Sequence, residues 1–218
     1  MKKYSAVIFD WDGTIMDSTY SIVSSLQAAC REVGLPVPDK QQASWVIGLS
    51  LDRALYHCVP DLTEQQLPKF LAAYRKHYYE VDKTLRLFEG MDEVLATLGS
   101  NQTRLAVATG KSRRGLDRAL AQSQLEKRFH TTRCADETAG KPDPKMLYEI
   151  LEELTLQPEE VLMVGDTTHD IHMAHSAGMD SMAVTYGAHD PATLEEATPL
   201  VMVDTVEDLG KWMFERLA

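Results

Sequence analysis

Four short runs of apolar residues constrain the fold of this chain more than any other feature. They are "AVIFD" (6–10), "LAVATG" (105–110), "VLMVGD" (161–166) and "SMAVTYG" (181–187). None alternates polar with apolar, so each reads as a strand covered on both faces. Helical patterns fill the gaps between the later runs. In "GMDEVLATL" the residues Met91, Val94, Leu95 and Leu98 form one stripe. Asp143-Pro144 opens a second helix, which carries Leu147, Ile150, Leu151 and Leu154 inward. Strand alternating with helix predicts an α/β fold built on a doubly wound parallel sheet. "TRCA" (132–135) is a weaker candidate for one more strand.

Residues 17–85 break this rhythm, with helical periods and no convincing strand. Asp17 or Ser18 caps a helix with a stripe of Ile22, Leu26, Ala29 and Val33, which Gly34 and Pro36 end. Further helices fit 39–46, 51–58 and 63–80, the last with Leu67, Phe70, Leu71 and Tyr74 at helical spacing. An all-helical insert after the first strand predicts two domains: a core of residues 1–16 and 86–218, and a cap of residues 17–85. The cap is expected over the carboxyl ends of the strands, where such sheets bind ligands.

The 218-residue chain is large enough to bury a core. Its net charge of −11 argues against nucleic acid or an anionic membrane as the main partner. No apolar run is long enough to span a bilayer, and Asp10 cuts the run after Lys2 and Lys3 too short for a signal peptide. Cys30, Cys58 and Cys134 are odd in number and form no CxxC pair. They suit reduced thiols, and a cytoplasmic location is expected. A monomer is the default reading of oligomeric state.

Three of the strands end in polar clusters. Asp10 and Asp12 follow the first, Thr109, Gly110 and Lys111 the second, Asp166 and Asp170 the third. "GKPDP" adds Lys141 on a loop leading into a helix. In a parallel sheet these ends share one edge, so the clusters converge. Asp10, Asp12 and Asp166 then concentrate negative charge that calls for a hard cation with oxygen ligands, and Mg²⁺ suits. Such a site fits phosphoryl transfer. The cation and Lys141 neutralise the phosphoryl oxygens, Thr109 and the Gly110 amide hydrogen-bond them, one aspartate attacks phosphorus, and a second carboxyl moves the protons.

In order along the chain, "FDWDGT", "VATG", "GKPDP" and "GDTTHDI" resemble the four motifs of the haloacid dehalogenase-like hydrolases. The resemblance covers almost the whole chain and is strongest to the helical-cap branch, near phosphoglycolate phosphatases. It implies a Rossmann-like core with an inserted helical cap, and a Mg²⁺-dependent phosphatase acting on a small phosphorylated metabolite through an aspartyl phosphate. It implies Asp10 as nucleophile and metal ligand, and Asp12 as general acid/base with its backbone carbonyl on the metal. Thr109 and Lys141 are implied as phosphoryl-binding residues, Asp166 as a metal ligand, and Asp170 as support for the metal's water shell. An acid at position 12 favours phosphate over halide chemistry. Leu51 stands where related phosphonate hydrolases have lysine and sugar phosphomutases have arginine.

By the same resemblance "VIGLSLDRAL" (46–55) is a specificity segment, in which Ser50, Arg53 and His57 are candidates to touch substrate. Ser50 reads equally as a helix N-cap, and Arg53 as half of a surface ion pair. Two rivals differ in chemistry: a phosphomutase, and a receiver-type phospho-switch, which keeps its acid pair and phosphoacceptor on different strands and lacks a large helical insert.

Three other features are read as follows. "ATGKS" imitates the end of a P-loop, but position 105 is leucine rather than the required glycine. Lys111 is therefore expected to be a solvated first-turn lysine. His169, His172 and His175 tempt a zinc assignment, yet steps of three drift roughly 60° around a helix each time. Only His169 is expected near the site. The Met163, Met173, Met179 and Met182 group is expected to fill core.

Overall fold

The computed structural model describes residues 3–82 and 84–216. Its centre is a six-stranded, all-parallel sheet in the order β3-β2-β1-β4-β5-β6. The strands are β1 (Ala6–Phe9), β2 (Arg104–Thr109), β3 (Thr131–Cys134), β4 (Val161–Gly165), β5 (Asp180–Val184) and β6 (Val201–Val203). "TRCA" thus supplies β3, while β6 lies in "VMV", a run too short to carry a periodic signal.

Alternate side chains of each central strand enter two different apolar layers. Val7, Phe9, Leu105, Val107, Leu162 and Val164 pack with α5 (Met91–Ser100), α6 (Arg113–Ser123) and α10 (Val206–Phe214). Ala6, Ile8, Ala106, Ala108, Val161 and Met163 pack with α7 (Lys145–Leu154) and α8 (Thr168–Ser176). Burial on both faces is why these strands read as unbroken apolar runs. The expected stripe of α5 is buried throughout, as are Met163, Met173, Met179 and Met182.

Between β1 and the rest lie α1 (Thr19–Val33), α2 (Lys40–Trp45), α3 (Leu51–Cys58) and α4 (Leu67–Asp82), with an apolar cluster of their own. The buried stripe of α1 is Val23, Leu26, Ala29 and Cys30, with Ile22 and Val33 only half-buried, because α1 packs mainly on α4. The expected helix at 63–80 starts later, at Leu67. The Thr63 and Gln66 side chains bond across the turn that precedes it. Gly34, at φ 77°, ends α1 in the left-handed conformation that glycine adopts without strain. The two crossings of the chain into and out of this insert pair with each other, Asp17 N donating to the Arg86 carbonyl at 3.0 Å. A short α9 (Pro191–Glu196) covers the β5 side.

Candidate active site

Strand order places the chemistry. From β1 the chain winds outward through β2 and β3, then returns to β4 on the other side of β1 and winds outward again. The reversal leaves a crevice at the carboxyl ends of β1, β2 and β4. Phe9 is in register with Val107 and Val164, and Asp10 N donates to the Val164 carbonyl at 2.9 Å. The residues just past these strand ends are therefore neighbours.

Lys141 Nζ lies 2.7 Å from Asp10 Oδ1 and 2.7 Å from Asp170 Oδ1, all three side chains essentially without exposure. These are close ion-pair contacts rather than well-directed hydrogen bonds. Burial opposes the lysine's charge, but Asp10 and Asp170 outweigh it and hold the ammonium above its usual range. The Asp10 carboxyl is pushed up to about 7 by burial, with Lys141 opposing and Asp170 adding. Asp166 is raised well above the carboxylate range by burial, then by Asp10 and Asp170.

Oxygens of Asp10, Asp166 and Asp170 lie within 4.8 Å of one another, and Asp10 Oδ2 is buried with no hydrogen-bond partner. Three converging carboxylates with an orphaned oxygen fit a hard divalent cation such as Mg²⁺. The donor set is all oxygen, and glycines let it form. A Cβ on Gly13 or Gly187 would fall 2.1 or 2.2 Å from Asp166 atoms. Asp166 is aimed by Thr14 Oγ1, which donates to Oδ1 at 2.9 Å, and by the Ala188 amide, which donates to Oδ2 at 2.7 Å. Thr14 sits inside "FDWDGT", so that motif carried the signal; Ala188 had none. Asp170 has two functions at once. Its Oδ2 accepts from Thr167 Oγ1 at 2.7 Å in a capping box that starts α8, while Oδ1 faces Lys141.

Asp12 points elsewhere. Its carboxylate accepts from Ser18 Oγ at 2.8 Å and from Lys111 Nζ at 3.0 Å to each oxygen. Lys111 is thus not the solvated lysine expected: its side chain is 10% exposed and also donates to Tyr78 Oη of α4 at 2.9 Å. The expectation failed because the partners of Lys111 come from two distant stretches of chain. Ser18, too, occupies the N-cap position of α1 but gives its hydroxyl to Asp12 rather than to the helix. Thr109 is buried at its strand end, and its Oγ1 accepts from the Lys111 amide at 3.1 Å, which leaves the hydroxyl proton for another acceptor.

The helical insert closes over this crevice. A Cβ on Gly110 would fall 2.3 Å from the Gly48 carbonyl oxygen, and one on Gly48 would lie 3.7 Å from Asp10 Oδ2. Arg53 donates to the Lys141 carbonyl at 3.0 Å, and it forms no ion pair among the described residues. Ser50 stands at the N-cap of α3 without a capping bond and packs beside Gly140. His57 is exposed, with its ring edge-on to Trp45. His169 is buried while His172 and His175 are exposed, so the three do not share a face. A partner not expected from sequence is His189. His169 Nε2 and His189 Nε2 lie 2.8 and 3.0 Å from the Trp45 carbonyl oxygen, joining α8 and the loop after β5 to the insert.

Residues 7–184 match the haloacid dehalogenase-like hydrolases. The chain belongs to that family. A protein of Dickeya dadantii named "Probable phosphatase IndB" is 34% identical over 209 residues, covering 93% of this chain and 90% of its own. The phosphoglycolate phosphatase of Mannheimia succiniciproducens is 29% identical over 219 residues, 96% of this chain and 98% of that one. A crystal structure from Haemophilus somnus, described as a predicted phosphoglycolate phosphatase, is 26% identical with a TM-score of 0.85, over 97% of this chain and 99% of that one. The chain thus stands among the phosphatases of this hydrolase family and is similar to phosphoglycolate phosphatases. No helix among the described residues is long and apolar enough to cross a membrane.

Proposed function

We propose that this chain is a Mg²⁺-dependent phosphatase of small phosphomonoesters, phosphoglycolate among the first to test, working in the cytoplasm as a monomer. The observation that carries the reading is Asp10. It is a buried carboxylate with one oxygen held by Lys141 and the Trp11 amide, and the other, Oδ2, free of partners under the Gly48 turn.

Asp10 and Asp166 would hold a Mg²⁺ together with the Asp12 backbone carbonyl, with Asp170 behind them, and the ion would supply positive charge to the phosphoryl oxygens. The chain's own groups do the rest. Lys141 and the Thr109 hydroxyl bind the phosphoryl group, together with the Gly110 amide. An Asp10 oxygen attacks phosphorus as the bond to the leaving oxygen breaks, and that oxygen takes its electron pair and a proton from Asp12. Water then attacks the acyl phosphate, Asp12 takes back a proton, and the bond from phosphorus to Asp10 breaks. The sum is ester plus water to alcohol plus phosphate.

Asp10 is fully buried under the Gly48 turn. Substrate therefore reaches it only when residues 17–85 swing aside as a cap on a core of residues 1–16 and 86–218. Closure then excludes bulk water during attack. Ser50 and Arg53, which adjoin Gly140 and Lys141, are placed to sense the leaving group. The test is phosphate release from a panel of phosphorylated metabolites with and without Mg²⁺. Release that disappears on chelation and returns with Mg²⁺ is expected. Isomerisation of a sugar phosphate without free phosphate would overturn the hydrolase reading.

A further inference from the structure

Trp45 ends α2, where helix carbonyls run out of helical amides. Leu49 N, four residues on, donates to the Val46 carbonyl instead. The Trp45 carbonyl is taken by two histidines of the core, with His169 Nε2 at 2.8 Å and His189 Nε2 at 3.0 Å. A carbonyl only accepts, so both nitrogens carry protons and donate. The other ring nitrogen sets His189 for this. Its Nδ1 accepts from the Thr168 amide at 3.1 Å, at the start of α8. Both histidines are 5% exposed. Their rings also pack on the Trp45 indole, His169 edge-on at 4.8 Å and His189 stacked at 6.4 Å.

What these two bonds hold is the turn that follows. Ile47 N donates to the Ser44 carbonyl at 3.1 Å and Leu49 N to the Val46 carbonyl at 3.2 Å. The chain then bends through Gly48 at φ 88°. Gly48 lies over Asp10 Oδ2, and its carbonyl meets Gly110. Neither histidine belongs to the acidic cluster, and neither has a part in the scheme above. Two buried side chains thus grip a backbone atom of the insert three residues from the roof of Asp10.

We infer that His169 and His189 are positioning residues, which together clasp the Trp45 carbonyl and so fix the 46–49 turn over Asp10. Only the effect on turnover rests on the phosphatase reading. Two donors on one acceptor make the clasp graded: losing one leaves the other, and losing both frees the turn.

The experiment reads amide hydrogen exchange by mass spectrometry together with turnover of p-nitrophenyl phosphate. The variants are His169→Leu, His189→Leu, both together, and His169→Gln, which keeps an N–H within reach of the carbonyl. Exchange across residues 44–50 should quicken a few-fold in each single leucine variant and about tenfold in the double. Exchange in β1, β2 and β4 should stay at the wild-type rate. The same factors should appear as losses in kcat/KM, at an unchanged half-saturating Mg²⁺ concentration. His169→Gln should restore both readouts. If the double variant fails to fold, the single variants, each keeping one bond, decide the matter. His169 adjoins Asp170, so a shifted Mg²⁺ requirement would place the loss at the metal cluster and overturn the clasp. Unchanged exchange at 44–50, equal quickening in the sheet, or a glutamine variant no better than leucine would do the same. Quickened exchange with wild-type kcat/KM would overturn the positioning role. A wild type that releases no phosphate would overturn the phosphatase reading, and the exchange rates would still decide the clasp.

Discussion

Two lysines, Lys141 buried and Lys111 partly exposed, divide the candidate site into unlike halves. Lys141 faces Asp10 and Asp170, every partner coming from the sheet edge and the loops around it. Lys111 faces Asp12 and Tyr78, and Tyr78 belongs to the helical insert. The first draws its charged groups from the core alone, although the Gly48 turn of the insert covers it. The second exists at a seam, as do the Gly48–Gly110 approach and the Trp45 carbonyl shared by His169 and His189. The difference assigns charge management to the core and conformational control to the seam.

The largest effect should come from the core half. Asp10→Asn removes the proposed nucleophile at nearly constant volume, and turnover should fall to background while circular dichroism is unchanged. Retained turnover would show that another group attacks phosphorus and would break the division at its centre. Lys141→Met comes next. It leaves two buried carboxylates facing each other, a loss of about 3–5 kcal/mol in denaturant unfolding together with loss of turnover. Lys111→Met should cost clearly less stability, because its pair is partly exposed and single. Equal stability losses would erase the distinction between the lysines.

What the sequence discloses follows the same line. Asp10, Thr109 and Asp166 were legible because each sits at the end of a strand whose apolar run announces it, and parallel strands bring those ends together; Lys141 was legible from the "GKPDP" run that leads into α7. Even Thr14, unnoticed beforehand, lies within a motif already read. Lys111, Tyr78 and His189 were not legible. Their partners are fixed by how the insert rests on the core, and local periodicity contains nothing about that. Arg53 illustrates the limit: on α3 it reads as a surface cation, and only the closed insert brings it to the Lys141 carbonyl. β6 escaped the sequence reading for a simpler reason, since its three residues give no period to detect.

Gly110→Ala tests the seam sterically. Its Cβ would fall within 2.6 Å of the Gly48 and Leu49 carbonyl oxygens, so the insert must stand off. Closure is then penalised, and kcat/KM should drop about 10- to 100-fold with the core's unfolding little changed. Wild-type kinetics would mean that closure is not needed for catalysis.

Mg²⁺ should sharpen the core half. Burial raises Asp10 and Asp166, so the metal-free native state holds protons that the unfolded chain has already released above its ordinary carboxylate range. Native stability without metal therefore falls as pH rises from about 4 towards the Asp10 value of about 7. A cation replaces those protons, so its stabilisation grows with pH. The rise in Tm on adding Mg²⁺ should be larger at about pH 8 than at about pH 6. A rise independent of pH would remove these carboxylates from the metal site.

The smallest effect should belong to the histidines of the seam. Burial lowers His169 to about 4 and lowers His189 as well, the Trp45 carbonyl opposing in both. An unfolded histidine takes a proton below about pH 6.5, whereas native His169 resists until about 4. Between those values the unfolded state binds more protons, so stability is full above the upper value and is lost as pH falls towards the lower one. For His169 alone the loss is at most about 3 kcal/mol. His169→Gln keeps an N–H that can reach the Trp45 carbonyl but cannot titrate, so it should flatten the slope of denaturant stability against pH in this window. An unchanged slope would show that His169 does not set the pH dependence of stability in this window.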